Sequence, residues 1–403
     1  MLINISPLKK YPDFRNLFLG QFISFFGSMI SYVAIPYEVY QLTKDNWYVG
    51  ALGIVQLVPV LVFGIIGGTI ADRLNRKKLI IYSEVVMCLV VFGLFLNSLQ
   101  DNPSVPLIFA LVAILQGVLG FHRPAMEAMT QKIVSAEDYS SIGALGSFRY
   151  SVSAIAGPSL AGLIIAQFGI SAAYGFDVVT FLLALFFLFK IRFNETPEKS
   201  AKNPIEQAKE GLRFSVSKPE LIGTYVIDIV AMTFAFPVAL FPALSETYGG
   251  AKSAGILFSS MAVGALVATL FSGWTHKIRT HGRMVVIAAC LWAVFICVVG
   301  FANSLLGAFI FLALAGAADM ISGLFRQVIW NQTVPNEMRG RLSGIEMISY
   351  MSGPLIGNAR AGWVASKYNV SISLWSGGLI CLVAVVMTAL FLPKFWKYTS
   401  SRS

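Results

Sequence analysis

Residues 316–344 read GAADMISGLFRQVIWNQTVPNEMRGRLSG. An apolar run carries Asp319 and Arg326, then Pro335 closes it and a basic loop with Arg339 and Arg341 follows. In lipid an ionisable side chain survives only where it faces protein or water, so the two residues mark a polar path along a membrane helix. Seven positions make nearly two turns, which puts the pair on one helix face about 10 Å apart.

The rest of the chain extends that reading. Of 403 residues, 56% are hydrophobic and 12% charged, against about 25% charged in soluble proteins, which excludes a soluble enzyme of this length. Twelve apolar stretches recur, at 14–41, 47–71, 78–99, 105–131, 139–166, 170–191, 220–246, 251–274, 283–303, 305–332, 340–366 and 370–393. Each is long enough to cross a hydrocarbon layer of about 30 Å. No strand-like alternation competes with them. The expected fold is an all-α integral membrane protein of twelve transmembrane helices.

Basic residues set the orientation. With both termini in the cytoplasm, 22 of the 30 Lys and Arg fall on the inner side, and only Lys44, Lys252 and Lys367 fall outside. The net charge of +10 then comes from loops lying against anionic lipid, and no nucleic acid is needed to explain it. The first thirteen residues lead straight into a span too long for a signal peptide and without a cleavage site. Cys88, Cys290, Cys297 and Cys381 all lie inside spans, without metal-ligand spacing, and read as packing residues. No cofactor and no metal are expected.

The longest polar stretch, 192–219, divides the chain into six spans on each side: a bundle over 1–191, a cytoplasmic linker, and a bundle over 220–403. Within the linker, 205–215 has the pattern of a short amphipathic helix on the membrane surface. The halves repeat. Val134, Glu137, Gly157, Ala161 and Gly162 return as Val334, Glu337, Gly357, Ala361 and Gly362, always 200 positions on. Arg123 after Gly120 resembles Arg326 after Gly323. A constant offset indicates duplication, and two parallel six-helix repeats around a shared binding site are an arrangement of membrane transporters.

Between spans 2 and 3 the chain reads Gly67, Gly68, then Asp72, Arg73, Leu74, Asn75, Arg76, Lys77 and Lys78. Gly68 permits close helix approach. Asp72 can accept bonds at a helix start or pair with an arginine, so Gly68, Asp72, Arg73 and Arg76 form a conformational latch, with Glu346 assigned to it from the second half. A plain basic loop is the simpler alternative. The corresponding stretch Gly273–Arg279 lacks the aspartate. Span 5 carries Gly157-Pro158, and span 11 carries Gly353-Pro354 as a looser counterpart.

Charges inside spans supply the candidate chemistry: Glu38, Glu84, Arg123, Glu127, Arg149, Asp177, Asp228, Asp319, Arg326, Glu346 and Arg360. Arg149, Arg326 and Arg123 sit at similar depth, and three guanidinium groups suit an anionic ligand such as a carboxylate or catecholate. Each could instead pair with an acid of the bundle. Asp319, Asp228 and Glu38 are candidate proton carriers, because burial and an approaching arginine pull a carboxyl group in opposite directions. His122 reads as a packed, hydrogen-bonded neighbour of Arg123. Tyr37 in span 1 and Phe236 in span 7 can stack on a ring-containing ligand. Pro36 and Pro237 break the same two spans and offer bending points.

The loop at Gly67–Lys78 resembles the major facilitator signature, and the Gly-Pro element of span 5 resembles that superfamily's antiporter motif. Phe241-Pro242-Ala243-Leu244, Gly316–Gly344 and Gly344–Trp363, with Glu346, Tyr350, Gly353, Pro354, Asn358 and Arg360, resemble the enterobactin exporter family. The resemblance implies a bacterial inner-membrane exporter of a siderophore-like anion, driven by protons through alternating access; a monomer is expected. Related branches export macrolides and other drugs, and siderophore uptake by the same fold stays open. The partners implied are a small-molecule substrate, protons and membrane lipid.

Overall fold

Backbone N–H and C=O groups find no water inside a hydrocarbon layer, so a crossing chain must pair them within each segment. The computed structural model describes residues 4–193 and 204–399, without the side chains of 64–73, 204–208, 336, 340–341, 343–345 and 347–348. Among the described residues all regular structure is helical. The first half holds α1 (Ser6–Lys10), α2 (Pro12–Thr43), α3 (Asn46–Arg73), α4 (Arg76–Ser98), α5 (Val105–Ile133), α6 (Tyr139–Phe168) and α7 (Ile170–Phe189). A linker helix, α8 (Pro204–Val216), precedes α9 (Pro219–Ala235), α10 (Phe241–Thr247), α11 (Ala251–Leu270), α12 (His281–Val299), α13 (Leu305–Thr333), α14 (Asn336–Lys367), α15 (Val370–Phe391) and α16 (Pro393–Trp396).

Eleven segments among the described residues are long and apolar enough to cross a membrane. The twelfth expected span is α14, whose 32 residues reach about 48 Å. It falls short only in apolarity, because it carries Arg339, Glu346 and Arg360. The all-helical fold with twelve crossing segments is therefore as expected.

The start signals are local. Ser104 accepts a hydrogen bond from the Leu107 amide and caps α5. Ser304, 200 positions on, accepts from Gly307 and caps α13. Asn75 caps α4 and Asn369 caps α15 in the same way. Each cap satisfies one of the amides a helix start leaves open. Between α6 and α7 the chain turns through Gly169, at φ 84°, a conformation that costs glycine little.

The chain divides into two compact units, Met1–Leu42 with Val58–Ala201, and Thr43–Leu57 with Lys202–Ser403. Residues 43–57 thus belong to the second unit, although they precede most of the first in sequence. There Gly50 lies against the Asn358 carbonyl and Gly362, and Gly53 lies against Leu355. Helix α8 packs on α9 and α14.

Lipid gives no hydrophobic drive for helices to associate, so close backbone approach through small residues does that work. In the first unit Gly157 of α6 seats on Met29 of α2, and Gly27 of α2 makes room for Asp177 and Thr180 of α7. In the second, Gly357 of α14 seats on the Met232 carbonyl of α9. The duplicated glycines Gly157 and Gly357 therefore do the same job against equivalent helices. Gly264 and Gly316 bring α11 and α13 together at the carbonyls of Ala313 and Met261.

The two proline-bearing spans differ. Helix α2 runs unbroken through Pro36. Span 7 stops at Ala235, passes Phe236 in extended conformation, and resumes as a 3₁₀ turn over Val238–Leu240 and then α10. The freed Ala239 amide donates to Asn358 Oδ1 at 3.0 Å.

A Cβ at Gly316 would fall on the Met261 backbone, whereas one at Gly143 meets nothing within 4 Å. Gly316→Val should destabilise the purified protein by about 1–3 kcal/mol. Gly143→Ala should leave thermal unfolding unchanged or raise it slightly, since alanine is the better helix former. Equal melting of both variants would contradict this packing.

Candidate functional sites

Three helices of the second unit converge on a charged cluster. Helix α9 contributes Asp228, α13 contributes Asp319 and Arg326, and α14 contributes Glu346. Asp319 and Arg326 share a face because they lie two turns apart. Arg326 Nη1 forms an ion pair with Asp228 Oδ1, and Nη2 lies 3.5 Å from Asp319 Oδ1. Its Nε is buried without a hydrogen-bond partner. A cavity of about 190 Å³ opens beside the pair, lined among others by Thr224, Tyr225, Asp228, Arg326, Glu346 and Tyr350. One guanidinium among three carboxyl groups leaves the cluster acidic. Two of its carboxylates share one cation, so protonating either leaves the guanidinium held by a single charge.

The first unit holds a cavity of about 370 Å³ at the corresponding helices, lined by residues including Phe14, Phe18, Gln21, Glu127, Thr130 and Arg149. Its lining holds one acid and one cation, Glu127 and Arg149, against two acids and one cation in the cavity of the second unit. Arg149 is half-buried, and its Nε is buried without a partner. Its guanidinium carbon lies 5.8 Å from the Phe25 ring centroid, within cation–π range. Among the described residues no carboxylate forms an ion pair with it. Arg123 does not line this cavity; it lies 3.6 Å from Glu127, with both side chains at least half exposed.

The acids Glu84, Asp177 and Glu38 accept hydrogen bonds from neighbouring side chains, although Glu84 Oε2 is buried without a partner. Glu84 is fully buried and accepts at Oε1 from Gln21 Nε2 at 2.7 Å and Ser24 at 3.3 Å. His122 Nε2 lies 3.2 Å from the same oxygen, so the histidine is a packed partner of Glu84 rather than of Arg123. Asp177 accepts from Ser31 and Thr180. Glu38 is 2% exposed and accepts from Tyr174 at 2.6 Å. Gln21, which the pattern of charges does not mark, completes the Glu84 network. Its signal was an amide in the middle of an apolar span, a position that requires a partner.

Tyr37 is buried in α2, and Phe236 occupies the break in span 7; neither lines the two cavities. The latch side chains Gly68, Asp72 and Arg73 lie outside the described residues. Arg76 opens α4 behind its Asn75 cap. Glu346, read with the latch, lines the cavity of Asp228 and Arg326. Among the described residues no group of three or more His, Cys, Asp or Glu could hold a metal ion.

The Asp228–Arg326 pair should behave as a unit. Asp228→Asn and Arg326→Gln should each lower thermal stability, because each strands a charge. The double variant should be more stable than the sum of the two losses by about 0.5–3 kcal/mol. Strict additivity in a double-mutant cycle would mean that the pair is not coupled.

The family model described as "Transmembrane secretion effector" matches residues 3–402. The enterobactin exporter EntS of Escherichia coli O1:K1 is 26% identical over 401 residues, covering 98% of this chain and 96% of that protein. EntS of Shigella boydii serotype 18 is 26% identical over 400 residues, with the same coverage. Among solved structures, the nucleoside transporter NupG superposes with a TM-score of 0.70 at 12% identity, covering 95% of this chain and 98% of that one. A bacterial homologue of the iron transporter ferroportin, in an inward-facing state, gives 0.71 at 13% identity, covering 99% and 100%. These relatives and fold neighbours are membrane transporters rather than enzymes. The chain belongs to the transmembrane secretion effector family of major facilitator transporters.

Proposed function

We propose that this transporter exports a siderophore-like anion across the bacterial inner membrane in exchange for protons, by alternating access. The observation that carries the reading is Arg149, a half-buried guanidinium on a cavity, without a carboxylate partner among the described residues. An arginine held this way offers paired donors to a carboxylate or catecholate. Phe14 and Phe18 give the same cavity an aromatic wall, suited to a ring-bearing ligand. Its volume of about 370 Å³ lies within the usual ligand range of about 300–1,000 Å³. The EntS relatives, named as enterobactin exporters, support the same ligand class.

Proton coupling belongs to the second unit. With Asp228 and Asp319 both ionised, Arg326 is held by both; a proton on either loosens one of the two attractions and leaves the guanidinium more available to an anion. Arg326 thus alternates between acid and cargo. Glu38 is engaged with Tyr174 and is a secondary carrier in this scheme. A second reading, efflux of cationic drugs, draws on the surplus of carboxyl groups around Arg326.

Deleting the protein in iron-starved cells should trap siderophore inside. Arg149→Ala should reproduce the deletion, lowering export at least about tenfold, the effect of losing a charge-assisted bond of about 1.5–3 kcal/mol; Arg149→Lys should restore part of it. Asp228→Asn and Asp319→Asn should spare ligand binding but remove dependence on the proton gradient. Normal secretion together with raised drug sensitivity would favour the drug reading, and intracellular accumulation driven by the protein would favour uptake.

The proposed orientation has its own test. In a variant without the four native cysteines, Lys252→Cys should react with an impermeant maleimide on intact cells, and Lys199→Cys should react only after permeabilisation. The opposite pattern would reverse the topology.

A further inference from the structure

A further cavity, larger than these two and basic, is not part of either site. It lies in the first unit, where α2 begins and α5 and α7 end, and has a volume of about 1090 Å³. Sequence dictates its charge. Lys10 precedes α2, Arg15 occupies the first turn, Lys132 ends α5, and Lys190 and Arg192 follow the last apolar turn of α7. All five cations line the cavity and are exposed, against the single carboxylate of Asp13.

That carboxylate offsets one of the five and is anchored by the backbone. Its two oxygens accept from the backbone amides of Arg192 and Phe193, each at 2.9 Å, which ties the chain after α7 to the start of α2. Lys10 bonds Asp138 at 2.8 Å, and this bond, with one to Tyr11, pushes the lysine above its ordinary pKa and keeps it charged. Asp138 itself does not line the cavity. The rim therefore presents a concentrated positive field at the end of three membrane helices.

The apolar side gives the cavity its second half. Leu19, Ile133 and Phe187 line it beneath the cations. On α7, Phe186 and Phe189 are 55% and 63% exposed within a crossing helix, and so meet acyl chains. Lys190 Nζ sits 3.9 Å over the Phe186 ring, its stem along the apolar surface and its charge at the rim. A free phosphate would use only the rim. A phospholipid would use both, with its phosphate among the cations and an acyl chain along the exposed rings.

We propose that this cavity is a binding site for the phosphate headgroup of an anionic phospholipid. Basic pockets between membrane helices on the cytoplasmic side suit such headgroups. The leaflet rests on the orientation proposed above, whereas the lipid chemistry does not, so a reversed topology would move the site to the other leaflet without removing it.

The full-length protein, purified and delipidated, can be titrated with phosphatidylglycerol, phosphatidylcholine and soluble glycerol phosphate, with bound lipid counted by native mass spectrometry. Phosphatidylglycerol should be retained, phosphatidylcholine should wash away, and glycerol phosphate should compete only weakly. Lys132→Gln combined with Arg192→Gln should weaken phosphatidylglycerol binding at least tenfold. Lys277→Gln combined with Arg279→Gln removes the same charge from another loop and should leave binding unchanged. Thermal unfolding without lipid checks that both pairs fold; should the first pair not fold, Arg15→Gln alone should give a smaller loss of the same kind. Equal weakening by both pairs, equal retention of both lipids, or competition by glycerol phosphate at lipid concentrations would each overturn the assignment.

Discussion

A charge inside a membrane must find a partner within reach of its own helix bundle, and this constraint organises the molecule. Glu84 has Gln21, Ser24 and His122; Asp177 has Ser31 and Thr180; Glu38 has Tyr174; Asp228 and Asp319 share Arg326. Each of these connections joins different helices or fixes a side chain in its rotamer. Helices that lipid would let drift are therefore held in register by their polar groups. Against that background Arg149 stands apart: among the described residues it meets the Phe25 ring and no carboxylate pairs with it.

The same economy governs packing. Glycine appears where backbones touch, and the positions recur between halves: Gly157 against α2 and Gly357 against α9. Duplication preserved the contacts that assemble each bundle while the charged positions diverged. The first unit carries Arg149 at one site; the second carries serine at the position 200 further on, with Asp228 and Glu346 nearby. The corresponding cavities therefore differ in charge, with one acid and one cation in the first unit and two acids and one cation in the second.

Much of this was legible in the chain because the physics is local. Apolar length gave the spans, and Ser104 and Ser304 announced where two of them begin. Arg326 was legible as a charge in a span, but its engagement with Asp228 was not, since the partner lies on a helix about a hundred residues away. Likewise nothing in the run from Thr43 to Leu57 announces that it packs with α14; that depends on Gly50 and Gly53 meeting a distant backbone. Pro36 and Pro237 looked alike in sequence and diverged in structure, because a proline bends or breaks a helix according to what stands ready to satisfy the freed groups.

The break in span 7 has a mechanical corollary. Once the helix stops at Ala235, the segment beyond it no longer inherits stiffness from its own hydrogen-bond ladder. Its alignment is borrowed from next door, through the amide of Ala239 clasped by Asn358 of α14. With Phe241 also set edge-on against Phe258 of α11, the segment follows the helices it leans on and not the one it came from.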